Sequence, residues 1–146
     1  MDEGIRERLI LVVENNASHA QLIETVLKNH PASYQVVIVC DGIQALNFLQ
    51  RQGEYQNAPR PHLILLDLNL PRKDGRSVLA EIKADDDLKR IPIVVLTASS
   101  NANDVFTSYA RQGNCYVIKA DDFESLSAIV KRIEEFWLEI VTLPSE

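Results

Sequence analysis

Leu63-Ile64-Leu65-Leu66-Asp67 is the stretch on which the fold turns. Four aliphatic residues run without a polar interruption and stop at an acid. A strand with one wet face alternates polar and apolar residues. A short run that is apolar throughout reads as a strand covered on both faces, as in a parallel sheet. Four similar runs flank it, at 9–13, 36–40, 93–96 and 115–118. The stretches between and after them carry helical spacing. Ala20, Ile23, Val26 and Leu27 form one stripe, and Ala45, Leu46 and Leu49 a second. Val78, Leu79 and Ile82 form a third, and Val105, Phe106 and Tyr109 a fourth. The longest is Leu126, Ile129, Val130, Ile133, Phe136 and Trp137.

Strand then helix, five times over, predicts a three-layer, doubly wound α/β domain with a five-stranded parallel sheet. Pro31, Pro71 and Pro92 fall between elements. Gly42 and Gly75 fall at helix starts, and Gly113 follows the fourth stripe. The final helix is expected to end near Trp137 or Leu138, leaving 139–146 as a tail. A chain of 146 residues makes one domain at about 150 residues each, with its core at 8–138. The charged fraction of 25% and hydrophobic fraction of 46% exclude a disordered chain or a coiled coil. The net charge of −6 argues against a nucleic-acid partner and against an anionic membrane surface. No apolar run approaches the roughly 20 residues of a membrane span. The charged start and short apolar run after it do not make a signal peptide. Both features predict a cytoplasmic chain. Cys40 and Cys115 read as buried free thiols, being too few for a disulfide framework or a zinc site.

In an open α/β sheet, ligands bind beyond the carboxyl ends of the strands. The residues there are Glu14-Asn15, Asp67, Thr97-Ala98 and Lys119. Together they suit phosphoryl transfer. The Asp67 carboxylate can act as a nucleophile and form an acyl phosphate. The developing charge needs a cation, usually Mg²⁺, which prefers oxygen ligands and keeps several waters. Glu14, Asn15 and Asp67 offer side-chain oxygens, and Asn69 a backbone carbonyl. Lys119 supplies a point charge and Thr97 a hydroxyl donor.

Leu11-Val12-Val13-Glu14-Asn15, Leu65-Leu66-Asp67-Leu68-Asn69-Leu70-Pro71, Val95-Leu96-Thr97-Ala98 and Tyr116-Val117-Ile118-Lys119 together resemble the receiver domain of bacterial response regulators. The wording from Gly53 to Arg76, and Phe136-Trp137-Leu138 with Thr142-Leu143-Pro144, is similar to the small cyanobacterial regulators that pair with phytochrome histidine kinases. The resemblance implies the flavodoxin-like strand order 2-1-3-4-5 and a single receiver domain over 1–146. It implies phosphorylation of Asp67 by a phosphohistidine, with Lys119 binding the phosphate. Thr97 and Tyr116 match the family's switch pair, in which the hydroxyl turns toward the phosphate and the aromatic ring turns inward. Two positions depart from the pattern. Asn15 replaces a second acid, which implies weak Mg²⁺ binding. Ala120 replaces a proline that often carries a cis bond, and a non-proline cis bond costs about 2.5–4 kcal/mol, so a trans bond is expected.

Three functions are compatible with these residues. One is a phosphoaccepting switch signalling through protein contacts. A second is a pseudo-receiver with weak or no phosphorylation, which Asn15 favours. A third is an enzyme on the same topology. The flavin form of that reading lacks a hydroxyl-rich first loop, and the phosphatase form lacks an acid at Asn69. Phe136, Trp137 and Leu138 are consecutive and cannot all face one core. Ile140, Val141 and Leu143 are expected to extend an apolar surface, and such a patch marks an interface. Family members often pair through their last two helices and last strand. A symmetric homodimer using Phe106, Tyr116, Phe136 and Trp137 is therefore expected. Asp85-Asp86-Asp87 reads as a solvated loop with a capping acid. His19, His30 and His62 read as surface or packing residues, having no metal-ligand spacing.

Overall fold

The computed structural model describes residues 8–31, 34–98, 105, 115–120, 122–140 and 143–144. Five parallel strands are β1 (Leu9–Val13), β2 (Gln35–Val39), β3 (Leu63–Leu66), β4 (Ile93–Thr97) and β5 (Cys115–Ile118). They pair in the order β2-β1-β3-β4-β5, as expected. The described helices are α1 (Ala17–Lys28), α2 (Gly42–Gln50), α3 (Gly75–Ala84) and α4 (Phe123–Glu134). Val105 is helical, whereas Phe106, Tyr109 and Gly113 lie outside the described residues.

Alternation along the central strands divides the core in two. Leu11, Val13, Ile64, Leu66, Ile93 and Val95 face α2 and α3, where they meet Ala45, Leu49, Val78, Leu79 and Ile82. Ile10, Val12, Leu63, Leu65, Val94 and Leu96 face α1 and α4, where they meet Ile23, Leu27, Leu126, Val130 and Ile133. Each such fully buried aliphatic side chain contributes about 1.5–3 kcal/mol relative to exposure. Because both faces are covered, β1, β3 and β4 need apolar residues at every position. The edge strands β2 and β5 are only partly covered, so the sequence reading overstated their burial.

Each described helix opens on an Asn or Asp whose side chain accepts from a backbone amide in the first turn. The pairs are Asn16 with His19, Asp41 with Gln44, Asp74 with Arg76 and Asp122 with Ser125. Helix α3 starts hard against the end of β3. A Cβ on Gly75 would fall on the Asp67 carbonyl oxygen and within 2.6 Å of Leu68 Cα. The Gly75 amide donates to the Leu68 carbonyl at 2.9 Å. Only glycine permits this approach, which anchors the backbone that carries Asp67.

Several expectations need correction. β2 spans Gln35–Val39, so Cys40 lies beyond it and is exposed, where the loop leaves the sheet edge. Cys115 is half-buried, and both thiols are free. The helical backbone does not stop at Leu138. It passes from α4 into a π-helical turn, Glu135–Ile140. Within that turn Phe136 is 50% exposed, Trp137 is half-buried against the core and Leu138 is buried. Leu143 is buried in the α1–α4 core and does not extend an apolar surface. Its large aliphatic side chain joins this core instead of remaining in water. The Ile140 side chain and Val141 lie outside the described residues. Among the described residues no helix is long and apolar enough to cross a membrane, and no peptide bond is cis, Lys119–Ala120 included. The Asp85 carboxylate caps the turn at Leu88, by accepting from the Asp87 and Leu88 amides.

Candidate functional site

Strand register brings the chemistry together. Val13 pairs with Leu66 and Leu66 with Val95, so Glu14, Asp67 and Thr97 emerge side by side at the carboxyl edge. Thr97 pairs with Ile118, which sets Lys119 next to them. Asp67 is 6% exposed and Glu14 is 3% exposed. Buried charges are tolerated only when paired and hydrogen-bonded, and these are. Asp67 Oδ1 accepts from Thr97 Oγ1 at 2.8 Å and from the Asn69 amide at 3.0 Å. Asp67 Oδ2 accepts from Lys119 Nζ at 2.9 Å. The same ammonium lies 2.8 Å from Glu14 Oε1. Glu14 Oε2 accepts from the Asn16 amide at 3.1 Å.

These contacts set the electrostatics. Burial pushes Asp67 up, but the Asn69 amide, the Lys119 ammonium and the Thr97 hydroxyl outweigh it. They hold the carboxyl below its usual range. Burial likewise pushes Glu14 up, and with the Asp67 charge it prevails over Lys119, so Glu14 stays above its usual range. The site therefore contains two carboxylates of unequal acidity that share one ammonium. Two carboxylates and one ammonium leave a negative remainder, and every nearby donor atom is oxygen apart from the lysine and histidine nitrogens. That chemistry fits a hard divalent cation such as Mg²⁺.

The sequence-predicted residues divide clearly. Glu14, Asp67, Thr97 and Lys119 converge. Asn15 and Asn69 sit on the exposed rim, with the Asn69 backbone tied to Asp67. Tyr116 is half-buried and packs against the core on the α2–α3 side. Phe106 lies outside the described residues. Two participants escaped the sequence reading. His19 Nδ1 lies 3.0 Å from Lys119 Nζ, so the three protons of the ammonium meet Glu14, Asp67 and His19. Burial, and then Lys119, push His19 below its usual pKa, leaving the imidazole neutral as an acceptor. The available signal was its place in the first turn of the helix after β1, which begins at the same sheet edge. Arg72, at φ 65°, reaches Asp41 Oδ2 at 3.3 Å and links the loop after Asp67 to the start of α2.

Comparison with known proteins agrees with this architecture. The family model for the response regulator receiver domain matches residues 10–131. The chain is 53% identical to the response regulator Rcp1 of Synechocystis sp. over 144 residues, covering 99% of this chain and 98% of that one. The crystal structure of the phosphorylated cyanobacterial phytochrome response regulator RcpA superposes with a TM-score of 0.94 at 53% identity, covering 96% of this chain and 100% of that one. The Mn²⁺-bound form of Rcp1 superposes with a TM-score of 0.92 at 54% identity, covering 94% and 99%. The chain belongs to the response regulator receiver family, a family of signalling proteins.

Proposed function

We propose that Asp67 accepts a phosphoryl group from the phosphohistidine of a histidine kinase, of the phytochrome type, and that the protein signals through protein contacts. The observation that carries this reading is the Asp67 carboxylate, buried at the sheet edge between the Thr97 hydroxyl and the Lys119 ammonium. An Asp67 oxygen forms the new O–P bond as the N–P bond of the donor breaks. The bonding pair returns to the imidazole nitrogen. Lys119 and Thr97 then exchange contacts with the carboxylate for contacts with phosphoryl oxygens. Glu14, Asp67, Asn15 and the Asn69 carbonyl would hold Mg²⁺, which would supply positive charge beside those oxygens. Thr97 and Tyr116 form the switch pair, the hydroxyl following the phosphoryl group and the ring moving against the α2–α3 side of the core. The phytochrome assignment rests on the likeness to RcpA, whose crystallised form is phosphorylated. The acidic net charge of −6 supports a protein partner over a nucleic acid. Incubation with acetyl phosphate and Mg²⁺, read by phosphate-sensitive gel mobility, tests the reading. A chain that never labels, with Asn15→Asp that does, would establish a pseudo-receiver instead.

Asn15 makes the cation site one charge weaker. Two unit charges at 4 Å and an effective dielectric of 20 interact by about 4 kcal/mol, of which retained water and ligand desolvation leave about 1–2 kcal/mol. Asn15→Asp is therefore expected to tighten Mg²⁺ binding by roughly 5–30-fold in a calorimetric titration. Equal affinities would show that Asn15 does not face the cation.

The protein forms a symmetric homodimer through its last strand and C-terminal segment in this reading. Support comes from Ile118 and Phe136, which are 47% and 50% exposed. Because Leu143 is part of the core, truncation before it would remove packing along with any interface. Phe136→Glu is the cleaner probe, and sedimentation should show a dimer for the wild type and a monomer for the variant. A wild type that stays monomeric at high micromolar concentration removes the dimer.

A further inference from the structure

At the opposite edge of the sheet from Asp67 lies a second cluster. Helix α1 has 12 residues and spans about 18 Å, so His30, just past its end, is far from the carboxyl edge. His30 Nε2 lies 3.1 Å from Glu139 Oε2. Its ring stacks on Tyr34, with centroids 4.9 Å apart and planes 23° apart. Glu134, the last residue of α4, is only 3% exposed. Its Oε2 is buried without a hydrogen-bond partner. One ligand atom from each of His30, Glu134 and Glu139 falls within 4.8 Å of the other two. The π-helical turn explains the pairing of the two acids. In an α-helix, residues five apart diverge, whereas i→i+5 bonding stacks them.

A buried carboxylate oxygen with no partner bears its full desolvation penalty and calls for a proton or a cation. We propose that His30, Glu134 and Glu139 form a binding site for a divalent transition-metal ion, with Zn²⁺ the best match. One imidazole and two carboxylates, with water in the fourth position, is a three-ligand zinc set. Mg²⁺ and Ca²⁺ favour all-oxygen cages and would not use the imidazole. Tetrahedral bonds of about 2.0–2.2 Å place donor atoms roughly 3.4 Å apart. The His30–Glu139 pair is already close to that spacing, and a small rotation brings Glu134 in. The Tyr34 ring holds the imidazole plane in place. Burial, which pushes the Glu134 carboxyl up, is relieved by a cation beside it. The site clamps the π-helical turn to the end of α1. That turn carries Phe136, so occupancy fixes how its exposed ring is presented.

The test is calorimetric titration of Zn²⁺ into the full chain with Mg²⁺ in excess to fill the acidic pocket. One Zn²⁺ per chain is expected for the wild type, for Asp67→Asn and for Cys40→Ser. His30→Gln and Glu139→Gln should each weaken binding by about 100-fold or more, since even outer-shell changes at metal sites cost 10–100-fold. Ring signals of His30 should shift on Zn²⁺ addition while those of His62 stay in place, a readout that needs no variant. The proposal is overturned if the wild type binds no Zn²⁺. It is equally overturned if His30→Gln binds as well as wild type, or if affinity is lost in Asp67→Asn or Cys40→Ser.

Discussion

Asp67→Asn is expected to abolish phosphoryl incorporation while leaving the fold intact. An amide oxygen is a poor nucleophile, and the amide cannot form the acyl phosphate. The initial labelling rate should fall by about 10³-fold or more, as when an enzyme loses its nucleophile. The surrounding hydrogen bonds show why the protein survives. The amide oxygen can still accept from Thr97 and the Asn69 amide, as Oδ1 does in the wild type. Its NH₂ then faces Lys119, which loses one acceptor and keeps Glu14 and His19. The loss of a charge-assisted bond of about 1.5–3 kcal/mol is offset by the end of repulsion between two buried carboxylates. Intact mass after acetyl phosphate treatment gives the readout. Retained labelling in Asp67→Asn would mean that another side chain is the acceptor.

Much of this site was legible in the sequence because of strand burial. A parallel strand that must be apolar on both faces can change character only at its end. Asp67, Thr97 and Lys119 therefore announce themselves as breaks in aliphatic runs. Strand order was not legible from those runs, since each is apolar in the same way, and it came only with the family resemblance. His19 was invisible for a different reason. A lone histidine in a first helical turn carries no pattern, and only the Lys119 side chain crossing from β5 gives it a role. The pairing of His30 with Glu134 and Glu139 depends on a π-helical turn, which has no periodic signature in six residues. Leu143 misled for a third reason. An aliphatic residue beyond the expected helix end suggests surface, but burial of its side chain favours a place in the α1–α4 core.

Lys119→Met should give the largest loss of stability, and its pH dependence should have a distinctive sign. The ammonium is the cation that neutralises Glu14 and Asp67, both almost fully buried. Removing one partner from a buried charge cluster costs about 3–5 kcal/mol, because the remaining charge is uncompensated. A loss of about 3 kcal/mol at neutral pH is expected, since methionine fills the lysine stem's space. In the wild type, the depressed Asp67 contributes stability above its unfolded pKa, and this is lost as pH falls through the folded value. The raised Glu14 has the opposite sign: its burial costs stability at neutral pH, and acid relieves that cost. Lys119 lowers both groups, so without it both carboxyls titrate higher than they do in the wild type. The folded variant then binds more protons than the folded wild type as pH falls toward about 5, so acid favours the variant relative to the wild type. The gap between variant and wild type should therefore narrow on acidification. Mg²⁺ should narrow it too at neutral pH, because a cation binding the same two carboxylates offsets the missing ammonium. Urea unfolding of both proteins at neutral pH and about pH 5, with and without Mg²⁺, measures all three effects. A gap that stays constant with pH would mean that Glu14 and Asp67 do not depend on Lys119 for their charge.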